Sequence, residues 1–404
     1  MTYVIWIFGI TGTNGKTTTA YMTADILKRS GKECALIGTV THKIGNKTYE
    51  AINTTPGKET LREYIKEAET QNIDTMVMEV SSHALSQGRA DDVPIKYAAF
   101  MNLTRDHLDY HKSMEEYYLT KKKLFDFKTL DAAIINIDDV YGRRLFSELK
   151  EERKDIRFFT ISIGGDADFT AFIKKEGFWG SEFDVRKRTK ASDEDEITEK
   201  FSLMRPGRHH IYDALAALAL TFAYGGRDEI GIAREALAEF AGAPGRFEII
   251  TNENSSIAAI CDYAHTPDAL ENLLMTVKEV RDADENMRHG RIITVFGCGG
   301  DRDRGKRPVM GKIAGQLSDY TIITSDNPRS EDPLDIIAEI EEGIYGTHGE
   351  YTVITDRRSA LAKAAALARP GDIIVAAGKG HETYQIIAGQ KKHFDDREIL
   401  RELL

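Results

Sequence analysis

Cysteine is scarce in this chain of 404 residues: Cys34, Cys261 and Cys298 are an odd, scattered set without the C-x-x-C spacing of zinc or redox sites. That excludes a disulfide scaffold and leaves reduced thiols in a cytoplasmic protein as the expectation. A basic excess is missing as well, since the formal net charge is −11. A broad surface for nucleic acid is thereby excluded, and any bound anion must be held locally. Long apolar runs are absent: Val4 to Phe8 runs straight into a glycine loop and is too short for a signal peptide or a membrane span. There is no low-complexity tract and no internal repeat. What remains, 41% hydrophobic and 29% charged residues over this length, describes a globular chain of two or three domains.

Short β-branched runs alternate with longer amphipathic stretches, the signature of an α/β fold with parallel sheets covered by helices. Strands are expected at 4–8, 35–40, 75–80, 97–102 and 132–136, with helices over 17–29 and 114–125. Between 160 and 203 the pattern shortens around Gly164-Gly165 and the charged run Asp193 to Glu196, which predicts antiparallel strands and a solvated turn. A helix over 210–224 follows, and Ala243-Pro244-Gly245 reads as the hinge between a domain 1–243 and a second domain 244–404. The second domain restarts the alternation, with strands near 257–261, 292–296, 320–324 and 373–376 and helices near 267–281, 333–344 and 358–368. It reads as a doubly wound, Rossmann-like unit, whose ligands belong beyond the carboxyl ends of its strands.

Directly after the first strand stands Gly9-Ile10-Thr11-Gly12-Thr13-Asn14-Gly15-Lys16-Thr17-Thr18, and then a helix. Glycines let backbone N–H groups curl around phosphate oxygens, Lys16 reaches the terminal phosphates and the Thr17 hydroxyl is placed for magnesium. The usual pattern has glycine where Ile10 stands, and a chance glycine turn carries some of the same letters. The strand before, the helix after and the intact Gly-Lys-Thr favour a nucleoside triphosphate. Glu79 ends a strand where a magnesium carboxylate belongs, and His107 offers a ring nitrogen to a second cation. Taken singly, such residues are more often a cap or a structural hydrogen bonder; together with the loop they point to a site.

With this loop, Met78-Glu79-Val80-Ser81-Ser82-His83 and Asn102-Leu103-Thr104-Arg105-Asp106-His107, the chain resembles the Mur ligase family, in particular its UDP-N-acetylmuramoyl-dipeptide branch, which adds the third residue of the peptidoglycan stem peptide. The likeness runs in order from about residue 8 to 385. It implies a central P-loop ATPase domain followed by an amino-acid- and nucleotide-binding domain, with ATP and two magnesium ions. It selects Lys121 as a lysine carbamoylated by carbon dioxide to become a metal ligand. Gly12, Thr13, Asn14, Gly15, Lys16, Thr17 and Thr18 would cradle ATP, with Lys16, Glu79, His107 and Lys121 catalytic. Thr17, Glu79, His107 and Lys121 would be the metal ligands. The resemblance also places Arg246 at phosphate, Asp262 at ribose, Tyr263, His265 and His210 near adenosine, and Lys306 toward the phosphates. In the family, asparagines are usual where His210 and Asp213 stand, which bears on base selectivity.

Asp326-Asn327-Pro328-Arg329 is similar to the motif of members that add meso-diaminopimelate. A second carboxylate on the amine substrate suits the planar fork of Arg329, with Arg302 as another candidate. Gly378 and Glu382 match positions that hold the distal ammonium end, although an Asn-Pro turn is also ordinary loop chemistry. Thr54, Thr55, Ser81, Gln87 and Arg89 match contacts to the peptide acceptor. The implied reaction passes through an acyl phosphate: a peptide carboxylate attacks the γ-phosphate and an amine then displaces phosphate. The phosphate loop begins within nine residues of Met1, so the family's N-terminal uridine-nucleotide domain is expected to be absent. That absence keeps open a stand-alone ligase for an archaeal wall, a polyglutamate-like polymer or a secondary metabolite. A non-catalytic nucleotide-binding subunit is the reading from another class, and the set Lys16, Glu79, His107, Lys121 and Lys306 argues against it.

Overall fold

The computed structural model of the chain describes residues 5–188, 196–251 and 255–404; the expected strand residue Val4 and Asp193 to Asp195 of the charged run lie outside them. Two compact units form, Met1–Glu176 with Gly180–Ala241 and Gly177–Trp179 with Gly242–Leu404. The chain therefore changes unit between Ala241 and Gly242, where the sequence suggested 243/244. The three residues Gly177–Trp179 also belong with the second unit.

The first unit runs β1 (Trp6–Thr11), α1 (Lys16–Arg29), β2 (Cys34–Ile37), β3 (His42–Ile44), β4 (Lys47–Tyr49), α2 (Lys58–Thr70), β5 (Thr75–Glu79), α3 (Ser82–Ser86), β6 (Ile95–Phe100), α4 (Leu108–His111), α5 (Met114–Lys122), β7 (Ala132–Asn136), α6 (Val140–Glu152), β8 (Arg157–Ile163), β9 (Phe169–Gly177), β10 (Gly180–Lys187), β11 (Ile197–Leu203), α7 (Arg208–Gly225) and α8 (Glu229–Ala238). Its eleven-stranded sheet has the order β11-β10-β9-β8-β7-β6-β1-β5-β2-β3-β4. Strands β2, β5, β1, β6, β7 and β8 are mutually parallel, and runs such as Ala132-Ala133-Ile134-Ile135, buried on both faces, are what a helix-covered parallel sheet requires. Helix α7 is apolar nearly all round and rich in alanine, so it packs in the interior beside α1.

Register then places the site. Ile10 pairs with Glu79 and Thr11 with Phe100, so β1, β5 and β6 bring their carboxyl ends to one edge. The region expected to hold only antiparallel strands departs from that reading. Strands β10 and β11 are antiparallel, but β9 runs parallel to β8. The tight return between β8 and β9 is closed by Asp168, whose carboxylate accepts from Thr160 N and Thr160 Oγ1, both at 2.9 Å. Gly164, at φ 76°, supplies the left-handed step.

The second unit contains β12 (Glu248–Ile249), β13 (Ala258–Asp262), α9 (Pro267–Ala283), β14 (Ile292–Phe296), α10 (Lys306–Leu317), β15 (Tyr320–Ile323), α11 (Pro333–Ile344), β16 (Glu350–Val353), α12 (Arg357–Leu367), β17 (Ile373–Ala377), the hairpin β18 (Tyr384–Ile387) and β19 (Gln390–His393), and α13 (Asp396–Leu403). Its sheet order is β12-β13-β17-β14-β15-β16, parallel from β13 onward. Local sequence starts the helices: Thr266, Asp332 and Asp356 accept from backbone N–H groups of the first turn, and Pro267 and Pro333 occupy its opening. Phe178 is fully buried in this unit's core with Leu270, Leu274 and Val277. Among the described residues no helix is long and apolar enough to cross a membrane.

Candidate active site

In the first unit the loop between β1 and α1 is shaped by its glycines and locked from β6. Gly15 sits at φ 86°, and a Cβ there would lie 2.4 Å from Asp213 Oδ1. Asn102, just past β6, accepts from Asn14 N at 2.9 Å through its side chain and from Thr13 N at 3.0 Å through its carbonyl oxygen. Lys16 Nζ lies over the loop, 2.9 Å from the Gly12 oxygen and 2.7 Å from the Thr13 oxygen. Thr18 is buried in the first turn of α1.

Glu79 is buried, yet its hydrogen-bond donors are neutral: Thr17 Oγ1 at 2.9 Å, Thr39 N at 2.7 Å and Thr39 Oγ1 at 3.0 Å. Among the described residues no three His, Cys, Asp or Glu side chains gather as a ligand set. A carboxylate and a hydroxyl side by side nevertheless fit magnesium, which takes few protein oxygens and keeps water or phosphate oxygens for the rest.

Lys121 is fully buried, donates to the Gly12 oxygen at 2.8 Å and stands 4.7 Å over the Tyr117 ring. Burial first, and the charge of Lys16 second, pull its ammonium well below the ordinary lysine range. His107, exposed and at φ 52°, has its ring 6.2 Å from the same Tyr117 and 4.8 Å from His83. Tyr117 thus gathers Lys121 and His107, and its hydroxyl stands 3.3 Å from Thr13 Oγ1 on the loop.

The expected acceptor contacts also come together. Thr55 Oγ1 donates to the Glu79 carbonyl oxygen at 2.9 Å and accepts from Ser81 N at 3.0 Å. Arg89 donates to the Thr55 oxygen at 2.6 Å and to Gln87 Oε1 at 2.9 Å, while Thr54 Oγ1 is 3.1 Å from Thr39 Oγ1. Asp213 supports the loop from behind, accepting from Thr19 Oγ1 at 3.1 Å, and burial pushes its carboxyl well above the ordinary range. His210, in the first turn of α7, is buried with Nδ1 2.7 Å from the Pro206 carbonyl oxygen. A carbonyl only accepts, so that nitrogen carries the proton.

In the second unit the strand ends carry the polar loops. Gly245 and Gly380 touch so closely that a Cβ at Gly245 would lie 2.0 Å from His381 N. Arg246 lies 5.0 Å over the Tyr263 ring, and its buried Nε has no hydrogen-bond partner among the described residues. Asp262 accepts from Phe247 N at 2.7 Å, and burial raises its carboxyl against the pull of Arg246. The rings of Tyr263 and His265 are 4.5 Å apart, and Lys306 Nζ donates to the His265 oxygen at 2.7 Å.

The two amino-acid segments, far apart in sequence, meet. Asn327 Nδ2 donates to Glu382 Oε2 at 2.9 Å, its Oδ1 accepts from Ile386 N at 2.9 Å, and the Asp326 oxygen accepts from Gln385 Nε2 at 2.6 Å. Glu382 also holds buried Lys379 at 3.1 Å, and burial raises its carboxyl. Gly378, at φ 110°, leaves room for Asp326 Oδ2. A methyl at Gly299 would lie 2.8 Å from Arg329 Nη1 and 3.8 Å from Arg302 Cγ, so both arginines flank this glycine. Pro328 is buried.

Residues 10–221 match the Mur ligase middle domain, and residues 245–380 match the Mur ligase glutamate ligase domain. The chain belongs to the Mur ligase family. As a Mur ligase it is an ATP-dependent enzyme that forms amide bonds. It is similar to a UDP-N-acetylmuramoyl-L-alanyl-D-glutamate–2,6-diaminopimelate ligase of Alkaliphilus oremlandii, 43% identical over 403 residues that cover 100% of this chain and 78% of the relative. A Clostridium perfringens ligase of the same name is 43% identical over 98% of this chain and 78% of its own length. A solved structure of a ligase so named has a TM-score of 0.68 at 34% identity, covering 99% of this chain and 78% of that one.

Sequence reasoning passed over several residues of this Mur ligase site. Thr39, which holds Glu79, follows Gly38 at the end of a short strand, a position that could have flagged it. Tyr117 is an aromatic on a helix that carries no motif of its own, and Lys379 stood unremarked between Gly378 and Glu382.

Proposed function

We propose that this Mur ligase joins 2,6-diaminopimelate to the terminal carboxylate of a UDP-N-acetylmuramoyl-dipeptide, in the cytoplasm where ATP is supplied. The observation that carries the reading is the meeting of the Asp326–Arg329 loop with Gly378–Glu382, with Arg302 and Arg329 flanking Gly299: two arginines and the Glu382 carboxylate suit an amine substrate bearing charges of both signs. The names of the relatives at 43% identity support it and weigh against a specialised acceptor without a nucleotide.

In the proposed reaction the peptide carboxylate attacks the terminal phosphorus of ATP, ADP leaves, and the amine nitrogen displaces phosphate from the acyl phosphate with loss of a proton. The loop N–H groups of Gly12 to Thr18 and the Lys16 ammonium bind the phosphates. Thr17 and Glu79 would hold magnesium, which when bound supplies positive charge to the phosphate oxygens. A second ion is assigned to His107 and to Lys121, whose neutral amine adds carbon dioxide with loss of a proton. Thr54, Thr55, Ser81, Gln87 and Arg89 orient the acceptor. Arg246, Asp262, Tyr263, His265, Lys306 and His210 are assigned to the nucleotide. Arg302 and Arg329 take the distal carboxylate of the diamino acid, and Gly378 and Glu382 its ammonium.

The test is phosphate release coupled to mass spectrometry, with ATP, magnesium, UDP-N-acetylmuramoyl-dipeptide and either diaminopimelate or lysine. Product with diaminopimelate is expected in large excess over product with lysine. Silence with both, and turnover on an acceptor carrying no uridine nucleotide, would replace the reading with that of a specialised ligase.

A further inference from the structure

Arg302 and Arg329 stand on different loops, the first after β14 and the second after β15, so their separation depends on whatever joins those loops. A seam of contacts does. Gly300 N donates to the Asn327 oxygen at 2.9 Å, and a Cβ at Gly300 would lie 1.9 Å from the Pro328 oxygen, so the backbones touch. Arg329 Nη1 donates to the Gly300 oxygen at 2.7 Å. Asp301 accepts from Ser330 N at 3.2 Å and from Ser330 Oγ at 2.7 Å. Asp301 and Arg329 both sit at φ 54°, a left-handed conformation that a side chain adopts at a cost and that neighbouring contacts must hold.

Glu331 is the centre of this seam. Its Oε1 accepts from Asp301 N on the first loop and from Arg307 Nη2 at 2.9 Å, and its Oε2 accepts from Arg307 Nη1 at 3.0 Å. Arg307 is fully buried at the start of α10 and also donates to Glu339 of α11 at 2.8 Å and to the Gly299 oxygen at 3.3 Å. The fork of Arg307 therefore fixes Glu331 on the helix layer, and Glu331 fixes Asp301 on the opposite loop. Hydrogen bonding to Arg307 and to the Asp301 N–H holds the Glu331 carboxyl down at about 2, so it is ionised throughout the working range.

We propose that Glu331 is a positioning residue that sets the spacing of Arg302 and Arg329 and so confers the preference for an amine substrate with a second, distal carboxylate. The inference rests on the assignment of those two arginines to that carboxylate. Glu331 touches no substrate; removing it loosens the Asp301–Arg302 segment, leaving Ser330 and the Gly300 contacts to hold it to the Arg329 turn. Diaminopimelate, which bridges both arginines, then loses binding, whereas lysine, which lacks the distal carboxylate, does not.

The experiment measures KM and kcat for diaminopimelate, lysine and ATP in the full chain and in Glu331→Ala, Glu331→Gln, Ser330→Ala and Arg329→Ala. The expected result for Glu331→Ala is a rise in diaminopimelate KM of about tenfold, smaller than loss of a direct charged contact would give, with lysine and ATP values unchanged. Glu331→Gln, which keeps an acceptor for Asp301 N, should recover part of the loss, and Ser330→Ala should show a smaller shift in the same direction. Equal losses for both amines, or no change in either, would overturn the proposal. Should Glu331→Ala not fold, an unaltered diaminopimelate-to-lysine ratio in Glu331→Gln and Ser330→Ala would overturn it as well. Arg329→Ala separates the two readings: if it raises diaminopimelate KM and the Glu331 variants do not, only this inference fails; if it leaves that KM unchanged, the assignment of the arginines fails.

Discussion

A lysine side chain enclosed by protein, its amine set against a carbonyl oxygen and an aromatic face, gives up its charge more readily than one in water, and such groups gather at functional sites. Lys121 is in that position. Replacing it by alanine should lower turnover by about a hundredfold or more while ATP binding persists, and high bicarbonate should not restore the rate. Phosphate-release kinetics would check this, and undiminished activity would remove Lys121 from the site. For Arg329, loss of one charged hydrogen-bonded contact is worth about 2 kcal/mol, or roughly a thirtyfold rise in diaminopimelate KM. Titration of both substrates would expose an equal weakening of ATP, which would mean that the residue has been misplaced. Lys16, Thr17 and Glu79 were legible in the sequence because their positions relative to a strand end carry the meaning. Thr39 and Glu331 were not: Thr39 reaches Glu79 and Glu331 reaches Asp301 only after strands distant in sequence are laid side by side.

Among the elements, α5 presents Lys121 and is held to α6 by ion pairs, Glu115 with Arg144 and Lys122 with Glu152 on either side of a central Glu148. Glu148 of α6 accepts from Tyr118 Oη at 2.7 Å, Lys122 Nζ at 2.9 Å and Arg144 Nε at 2.7 Å. Burial works against its ionisation, but these donors hold the carboxyl at about 2. Because the folded value is depressed, the stabilisation is complete above the unfolded value near ~4.3 and is lost as pH falls toward 2. With partial exposure the contribution is on the order of 1 kcal/mol. Glu148→Gln should therefore unfold at lower urea than the parent at pH about 7, with the gap closing as the pH approaches about 2.5; a gap of constant size would sink the assignment. Boundaries of the central strands lay close to those the alternation predicted, because a helix-covered parallel strand is an unbroken apolar run. The parallel β8–β9 pair was hidden, since it depends on Asp168 closing a tight return rather than on any periodicity. The hairpin β18–β19, with its exposed second strand, likewise gave no apolar signal.

For the molecule as a whole, the net charge of −11 goes with cations placed locally, in loops or at helix ends, Lys16 and Lys121 in one unit and Arg246, Arg302, Lys306 and Arg329 in the other. Each unit has its own apolar interior, which the two rounds of strand and helix alternation announced. The membership of Gly177–Trp179 was not announced, because Gly177-Phe178-Trp179-Gly180 reads as a surface turn. Phe178→Ala should cost the second unit about 3–5 kcal/mol. Hydrogen exchange should show the loss in β13 and α9 and spare β1 and β5; a uniform loss would refute it. The same three residues have a consequence for biosynthesis. Phe178 emerges from the ribosome before any of Gly242–Leu404 exists, so at ~5–20 residues per second it waits roughly ten to forty-five seconds for the rest of its core. During that interval the nascent first unit carries an apolar side chain without its final surroundings, and release of the chain at the boundary between the units would make that condition permanent.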